Sequence, residues 1–304
     1  MVTVNLELIR PKVRAPASIR NVEIALEEEL LQRAREIDQV IQISRRIRRD
    51  IVEMIGYKKP GHFGGSLSIA DILAVLYFYK MRHHPTRPTW EDRDRFVLSK
   101  GHGAPALYAA LAEAGYFPRE EFTTFKEQGG SLEGHPNMKR TVGIEANTGS
   151  LGQGLAIANG IALGGKLLKK DFKIYVLVGD GETNEGEIWE AAMLSAHYKL
   201  DNVVCLVDLN GLQAMGPTRE IMNTAPMEAK WSAFSWDVQV INGHIVEEIM
   251  KALDRADSIK GKPCVIICKT VKGKGISFLE GKPEYHHSLI TKAQYEQAVS
   301  ELGE

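Results

Sequence analysis

Two short polar segments carry the most chemistry in this chain. Gly179-Asp180-Gly181 ends one apolar run, IYVLV, and Asp208-Leu209-Asn210-Gly211 ends the next, VVCLV, with helical spacing of apolar residues from about Glu185 to Tyr198 between them. Parallel strands joined by a right-handed crossover put Asp180 and Asn210 at the carboxyl ends of strands that can be neighbours, which is where open α/β sheets bind ligands. Both side chains then face one crevice. A carboxylate oxygen, an amide oxygen, a backbone carbonyl just beyond Asn210 and phosphate oxygens would form a hard shell suited to Mg2+ or Ca2+. Either residue alone reads equally well as a turn residue or a helix cap; their joint placement favours a metal and diphosphate site.

Other glycine-rich matches fail. G-x-G-x-x-G lacks its third glycine because Asn184 stands there, and a pyrophosphate bound without a cation would meet the Asp180 carboxylate. Gly160 to Lys166 fits the opening of a P-loop, but Leu167 replaces the hydroxyl residue and the segment lies inside a helical pattern. Thr148-Gly149-Ser150-Leu151-Gly152-Gln153-Gly154 precedes a long apolar helix, so free N–H groups are expected there for an anion or for close approach of a cofactor ring. His62, His102 and His135 each fall in a glycine-rich break, where backbone can approach a ligand and a near-neutral imidazole can exchange protons. A single loop histidine is more often solvated than functional, and His83, His84, His197 and His244 keep that reading.

These residues need a scaffold of alternating strands and helices. Strands are expected at 95–99, 173–179, 202–209, 236–241 and 263–269, and helices at 151–169, 185–198 and 246–258. IYVLV and VVCLV are apolar on both faces, as strands are when helices cover both sides of a parallel sheet. The fold class is therefore α/β, a doubly wound and mostly parallel sheet preceded by N-terminal helices. Ile24, Leu30, Leu31, Ile37, Ile41, Ile47, Ile51 and Ile55 predict one long or two consecutive amphipathic helices stopped by Gly56. A further helix is expected from Ser68 to about Lys80, with Asp71 in its first turn. Residues 1–20 read as an arm and 21–304 as a single domain, with no linker or repeat to divide it.

The 304 residues are 44% hydrophobic and 25% charged with a formal net charge of -1, which suits a soluble globular chain with no general affinity for nucleic acid or anionic membrane. No apolar run is long enough to span a membrane and the start lacks a signal-peptide core, so the expected location is the cytoplasm. Cys205, Cys264 and Cys268 sit in strand-like runs and are expected to be buried free thiols. Arg45, Arg46, Arg48 and Arg49 are expected on a solvated or subunit-facing helix side.

GDGETNEGEIWEAAML followed by VVCLVDLNG resembles the thiamine diphosphate signature, GDG, a helix, then an asparagine closing the next strand. KPGHFGGSLSIADILAVLYF, RDRFVLSKGHGAPALYAALAEAG, LEGHPN with EANTGSLGQGLAIANGIA, and KGKGISFLEGKPEYHHS are similar to transketolase segments in the same order. The resemblance implies that Asp180, Asn210 and the Leu212 carbonyl hold the metal, Mg2+ or Ca2+, and that Gly179 and Gly181 approach the diphosphate. It implies active-site roles for His62, His102, His135 and His286, with His102 and His286 also touching the cofactor, and it lays Gly149, Leu151 and Gly152 along the cofactor. Glu185 and Glu190 match acidic residues that couple two active sites across a subunit interface, and Glu185 is also expected near the cofactor. The chain departs from the family at His287, where glycine is usual, at Phe63, where proline is usual, and at Gly211, which follows the asparagine that the family often doubles.

Such a cofactor acts as an electron sink for carbon–carbon cleavage, and a carboxylate from a pyrimidine-binding domain normally activates it. No second α/β unit is apparent after Lys269. The expectation is the diphosphate-binding subunit of a split transketolase, completed by a second polypeptide in an α2β2 heterotetramer. It would transfer a two-carbon ketol unit from a ketose to an aldose, the sugars being phosphorylated, with sulfonated, branched or unphosphorylated sugars as alternatives. The alternatives are a 2-oxo acid dehydrogenase α chain, against which GHP and SKGHG argue, a non-catalytic thiamine diphosphate-binding module and, weakest, a nucleotide-dependent oxidoreductase.

Overall fold

The computed structural model describes the backbone of residues 17–303 and the side chains of residues 28–303; of the expected arm, residues 1–16 lie outside the described residues and 17–20 are helical. Helix α1 (Ala17–Ile55) is one helix, ending where Gly56 takes a φ of 64°, a conformation that costs glycine little. By proximity the chain divides into Met1–Gln39 and Val40–Glu304. Everything that builds the site belongs to the second unit.

There, α1 buries Ile43, Ile47, Ile51 and Ile55 along one stripe. Arg48 lies on the same buried side, its guanidinium paired with the buried Asp71, so the expected solvated or subunit-facing side fails for Arg48, while Arg45 and Arg46 are exposed as expected. The helix expected at 68–80 forms as α3 (Ala70–Val75) continued by a π-helical turn, Leu76–Lys80, and a separate short helix, α2 (Phe63–Leu67), precedes it. Ile69, with φ -105° and ψ 4°, separates α2 from α3.

The remaining elements are β1 (Arg95–Leu98), α4 (Ala104–Glu113), α5 (Gln153–Leu167), β2 (Ile174–Gly179), α6 (Gly186–His197), β3 (Val203–Leu209), α7 (Thr218–Ile221), α8 (Met227–Ala233), β4 (Asp237–Asn242), α9 (Val246–Ser258), β5 (Cys264–Lys269) and α10 (Lys292–Leu302). All five expected strands form, every pairing is parallel, and the order is β1-β2-β3-β5-β4. Every residue of β2 is buried, and β3 is buried up to Leu209, because helices cover both faces. Small residues on the facing helices, Ala158 and Ala162 of α5 with Ala191 and Ala192 of α6, join Val176, Val178, Cys205 and Val207 of the strands in one core. Cys205, Cys264 and Cys268 are buried and free, as expected.

The segment after β5 is more than a tail. Gly61 and Ser288 exchange two backbone hydrogen bonds, at 2.9 and 3.0 Å, which fixes the turn carrying His62 against the turn carrying His286. Helix α10 then starts on a reciprocal cap between Thr291 and Gln294. Among the described residues no helix is long and apolar enough to cross a membrane.

Candidate active site

Register sets the site. Gly179 of β2 is level with Asp208 of β3, so Asp180 and Asn210 leave adjacent strand ends together. Both line one cavity of about 190 Å³, along with Gly65, Lys100, His102, Leu151, Gly179, Gly181, Leu212, Lys272 and His286. The expected convergence of Asp180, Asn210, Leu212, His102 and His286 is therefore realised in the geometry.

Asp180 accepts from the Gly181 N–H at 2.8 Å through one oxygen and from the Gly211 N–H at 2.7 Å through the other. It is thus both a cap and a cavity wall. Burial, and then the nearby Asp208, push its carboxyl up to about 6, so an added cation would favour its ionised form. Asn210 donates through Nδ2 to Asp208 at 2.9 Å and accepts from the Leu212 N–H through Oδ1 at 3.0 Å. The Leu212 carbonyl receives the Lys272 ammonium at 3.1 Å, and that ammonium also reaches His286 Nδ1 at 2.9 Å. A positive charge already favours the carbonyl expected to bind metal.

Sequence reasoning missed the layer beneath. Lys100 is 1% exposed and donates to Asp208 at 2.6 Å and to the Gly65 carbonyl at 2.7 Å. Asp208 also accepts from Ser68 at 2.8 Å and from the Thr270 hydroxyl. Burial opposes ionisation of Asp208, but Lys100 and these hydrogen bonds outweigh it and hold its carboxyl below the usual value. Burial and the neighbouring Lys100 push the Lys272 ammonium down to about 8. Two lysines at one end of a small cavity suit an anion. The Nε2 of Gln213, buried at the same wall, has no hydrogen-bond partner, and a buried donor left unpaired calls for an acceptor.

The segment before α5 needs a correction. Two of its N–H groups are already taken: Gly152 donates to Glu182 at 2.9 Å and Gly154 to Ser99 at 3.1 Å. The buried Glu182 carboxylate, also bonded to Ser99 and to the Gly179 N–H, takes the place expected for an anion. Close approach is nevertheless enforced, since a Cβ on Gly101 would meet the Gly149 nitrogen at 2.7 Å, and Gly152 caps α5 at φ 90°. Leu151 lines the cavity, whereas Gly149 lies against His135 and Gly152 against Glu185. Glu185 and Glu190 are exposed and outside the cavity.

The histidines gather around His62. Its ring centroid lies 5.3 Å from His102, 6.0 Å from His135, 5.4 Å from His286 and 4.5 Å from His287. Burial and then His287 push His62 down to about 3; burial and Lys272 push His286 down to about 4; burial and Lys100 hold His102 well below its usual value. All three are neutral at physiological pH, so each can donate to one hydroxyl and accept from another. His286 faces the lysines and His287 is exposed on the outer side. His83 and His244, read as solvated, are internal bridges: His83 joins Tyr77 and Tyr116, and His244 joins Asp71 to the Val271 N–H.

Among the described residues no cluster of three or more histidine, cysteine or carboxylate side chains could hold a metal unaided. Asp180, the Asn210 amide and the Leu212 carbonyl are hard oxygen donors with one carboxylate between them, so a divalent ion there needs oxygens from a bound phosphate as well. The cationic wall and the unpaired Gln213 donor fit that combination.

A family model described as "Transketolase, thiamine diphosphate binding domain" matches residues 37–304. The chain is 49% identical over 256 residues to the 6-deoxy-6-sulfo-D-fructose transketolase subunit SqwG of Clostridium sp. (strain MSTE9), covering 84% of this chain and 93% of that protein. It is 46% identical over 261 residues to one subunit of the apulose-4-phosphate transketolase of Phocaeicola vulgatus, covering 86% of this chain and 92% of that one. The solved transketolase of Leishmania mexicana superposes with a TM-score of 0.83 at 31% identity, over 87% of this chain and 41% of its own.

Proposed function

The chain belongs to the transketolase family, as its thiamine diphosphate-binding part, and from that premise we propose that it grips magnesium and the cofactor's diphosphate and performs ketol transfer in an α2β2 complex with a pyrimidine-binding partner. Asp180, Asn210 and the Leu212 carbonyl hold the ion; Lys100, Lys272, Gly181 and Gln213 face the phosphates. When bound, thiamine diphosphate supplies the electron sink for the carbon–carbon bond broken in the ketose.

The chain's own residues then do the following. Lys272, whose ammonium stands between the Leu212 carbonyl and His286 Nδ1, would hold a phosphate oxygen of the diphosphate. His62, His102 and His286 hold the sugar hydroxyls, and as neutral imidazoles they take a proton from one hydroxyl and return it to the carbonyl oxygen that forms or disappears. Leu151 and the closely packed loops at Gly101 and Gly149 keep water from that end. Glu185 and Glu190 lie on an α6 surface with the exposed Met193, Leu194 and Tyr198, a mixed polar and apolar face suited to a second copy of this chain. The sugars are phosphorylated or sulfonated, as the names of the two subunit relatives suggest.

The observation carrying this reading is the meeting of Asp180, Asn210 and the Leu212 carbonyl with two lysines and two histidines in one cavity. Calorimetry on the purified chain tests it. Thiamine diphosphate should bind with Mg2+ and far more weakly with chelator, and Asp180→Ala should abolish the metal dependence. Equal affinity in the parent and the variant would remove Asp180 from the site.

A further inference from the structure

A second cavity shares no lining residue with the active-site one. Helix α1, the turn that opens at Arg119 and the end of α10 enclose about 420 Å³, lined by Arg45, Arg46, Arg49, Asp50, Glu53 and Arg119 among others. Clefts that take small molecules measure about 300–1,000 Å³. Four guanidinium groups around one such space favour an anion.

The arginines are held in place without being used up. Arg46 Nε donates to Glu113 at 2.7 Å, and Arg49 donates to Glu53 at 2.9 Å and to the Gly303 carbonyl at 3.0 Å. A guanidinium has more N–H groups than these bonds occupy, so both side chains keep donors for a ligand while the pairs fix their orientation. Arg45 is exposed at the same cavity and pairs with no carboxylate among the described residues.

One acceptor stands bare among these donors. Asp50 is wholly buried; its Oδ1 accepts from Arg119, and its Oδ2 has no hydrogen-bond partner. A buried acceptor left unpaired calls for a donor. Burial, opposed by Arg119 and reinforced by Glu113 and Glu53, pushes the Asp50 carboxyl up to about 7, so it is ionised at pH 8. An oxyanion with no hydroxyl would then meet Oδ2 as a like charge. One that carries a hydroxyl would bond to it.

We propose that this cavity is a second ligand site, for a phosphate with a hydroxyl of its own, hydrogen phosphate or the phosphate ester of a polyol. Arg45, Arg46 and Arg49 take the phosphate oxygens and Asp50 Oδ2 accepts from the hydroxyl. Guanidinium forks give phosphate oxygens paired, charge-assisted hydrogen bonds. The site is independent of the ketol-transfer reading, since no residue of the active-site cavity enters it.

The test follows the Nε–H NMR signals of Arg46 and Arg49 in the full chain at pH 8, titrated separately with inorganic phosphate, glycerol 3-phosphate and sulfate. These signals report on this cavity and not on the one at Lys100 and Lys272. Inorganic phosphate keeps a proton at this pH and sulfate has none. One of the two phosphates should bind about tenfold tighter than sulfate, the size of a hydrogen bond to a charged group, and the tighter of the two identifies where the hydroxyl resides. Arg45→Gln should weaken phosphate binding by about tenfold. Asp50→Asn should erase the preference over sulfate, because an amide can donate where the carboxylate only accepts. Signals unmoved by every probe, or affinities equal in the parent and Arg45→Gln, overturn the site. Phosphates and sulfate binding alike in the parent, or a preference that survives in Asp50→Asn, overturn the assigned ligand. Arg45 is exposed, so its substitution spares the fold, and the Arg45→Gln and sulfate comparisons decide the matter even where Asp50→Asn fails to fold.

Discussion

Asp208 never touches the cavity, yet it sets what the cavity presents. By accepting from Asn210 Nδ2 it turns that amide so that Oδ1 is the atom left beside the Leu212 N–H and the proposed ion. By accepting from Lys100 it neutralises an ammonium that is almost wholly buried. Asp208→Asn keeps the shape and removes the charge, leaving Lys100 uncompensated. Breaking one side of a buried pair costs about 3–5 kcal/mol. The variant should therefore unfold at markedly lower denaturant and bind thiamine diphosphate with Mg2+ more weakly, because an amide at 208 can donate to Asn210 as readily as accept from it. A denaturation midpoint and a calorimetric affinity both unchanged would contradict this. Asp180 and Asn210 were legible because a polar residue ending an apolar run is conspicuous. Asp208 ends its run just as visibly, but its role and that of Lys100 were not legible, since their partners, Ser68, Gly65 and Thr270, come from distant parts of the chain.

Between elements, the tie formed by Arg48, Asp71 and His244 joins α1, α3 and the turn ahead of α9. Burial opposes ionisation of Asp71, but the Arg48 charge and the hydrogen bonds from His244 and Arg48 prevail, holding its carboxyl well below the usual carboxylate range. A carboxyl depressed on folding adds stability that is fully present above its unfolded value and is lost as pH falls through the folded one. His62 and His286, lowered to about 3 and about 4 from 6.5, also add stability that disappears on acidification, beginning near pH 6.5, because the unfolded chain takes up their protons first. The parent should thus lose stability in two stages as pH falls, the histidines first and Asp71 last. Asp71→Asn should be less stable by about 3–5 kcal/mol at neutral pH and should lack the lower stage alone. Thermal or denaturant melts carried from pH 7 to below pH 2 read both, and an acid limb identical in the two proteins would refute the assignment. The strands, α5, α6 and α9 could be read from apolar spacing because each buries its own residues locally. The break between α2 and α3 could not, nor could the pairing of Gly61 with Ser288, because both depend on contacts between segments far apart in sequence.

At the scale of the whole molecule, the proposed function requires a second surface, the partner's, facing this cavity. Asp180, Asn210, Lys100 and Lys272 stand on the sheet side, while His135 and His287 are exposed on the other. The transketolase of Leishmania mexicana, with which this chain shares its fold, is matched over 41% of its length, whereas two proteins named as transketolase subunits are matched over 93% and 92% of theirs. A chamber open on one side admits water, which weakens every electrostatic contact in it and leaves a cofactor's reactive end unprotected. The purified chain should therefore bind thiamine diphosphate with Mg2+ through its diphosphate end and transfer no ketol unit from any donor. Mixing with the pyrimidine-binding partner should produce transfer, tighten cofactor binding by closing the chamber, and yield a particle whose mass by light scattering is that of two copies of each chain. Transfer by this chain alone, or activity in a complex with one copy of each, would contradict the arrangement. The second outcome would also leave the exposed α6 surface around Glu185 and Glu190 without a role in assembly.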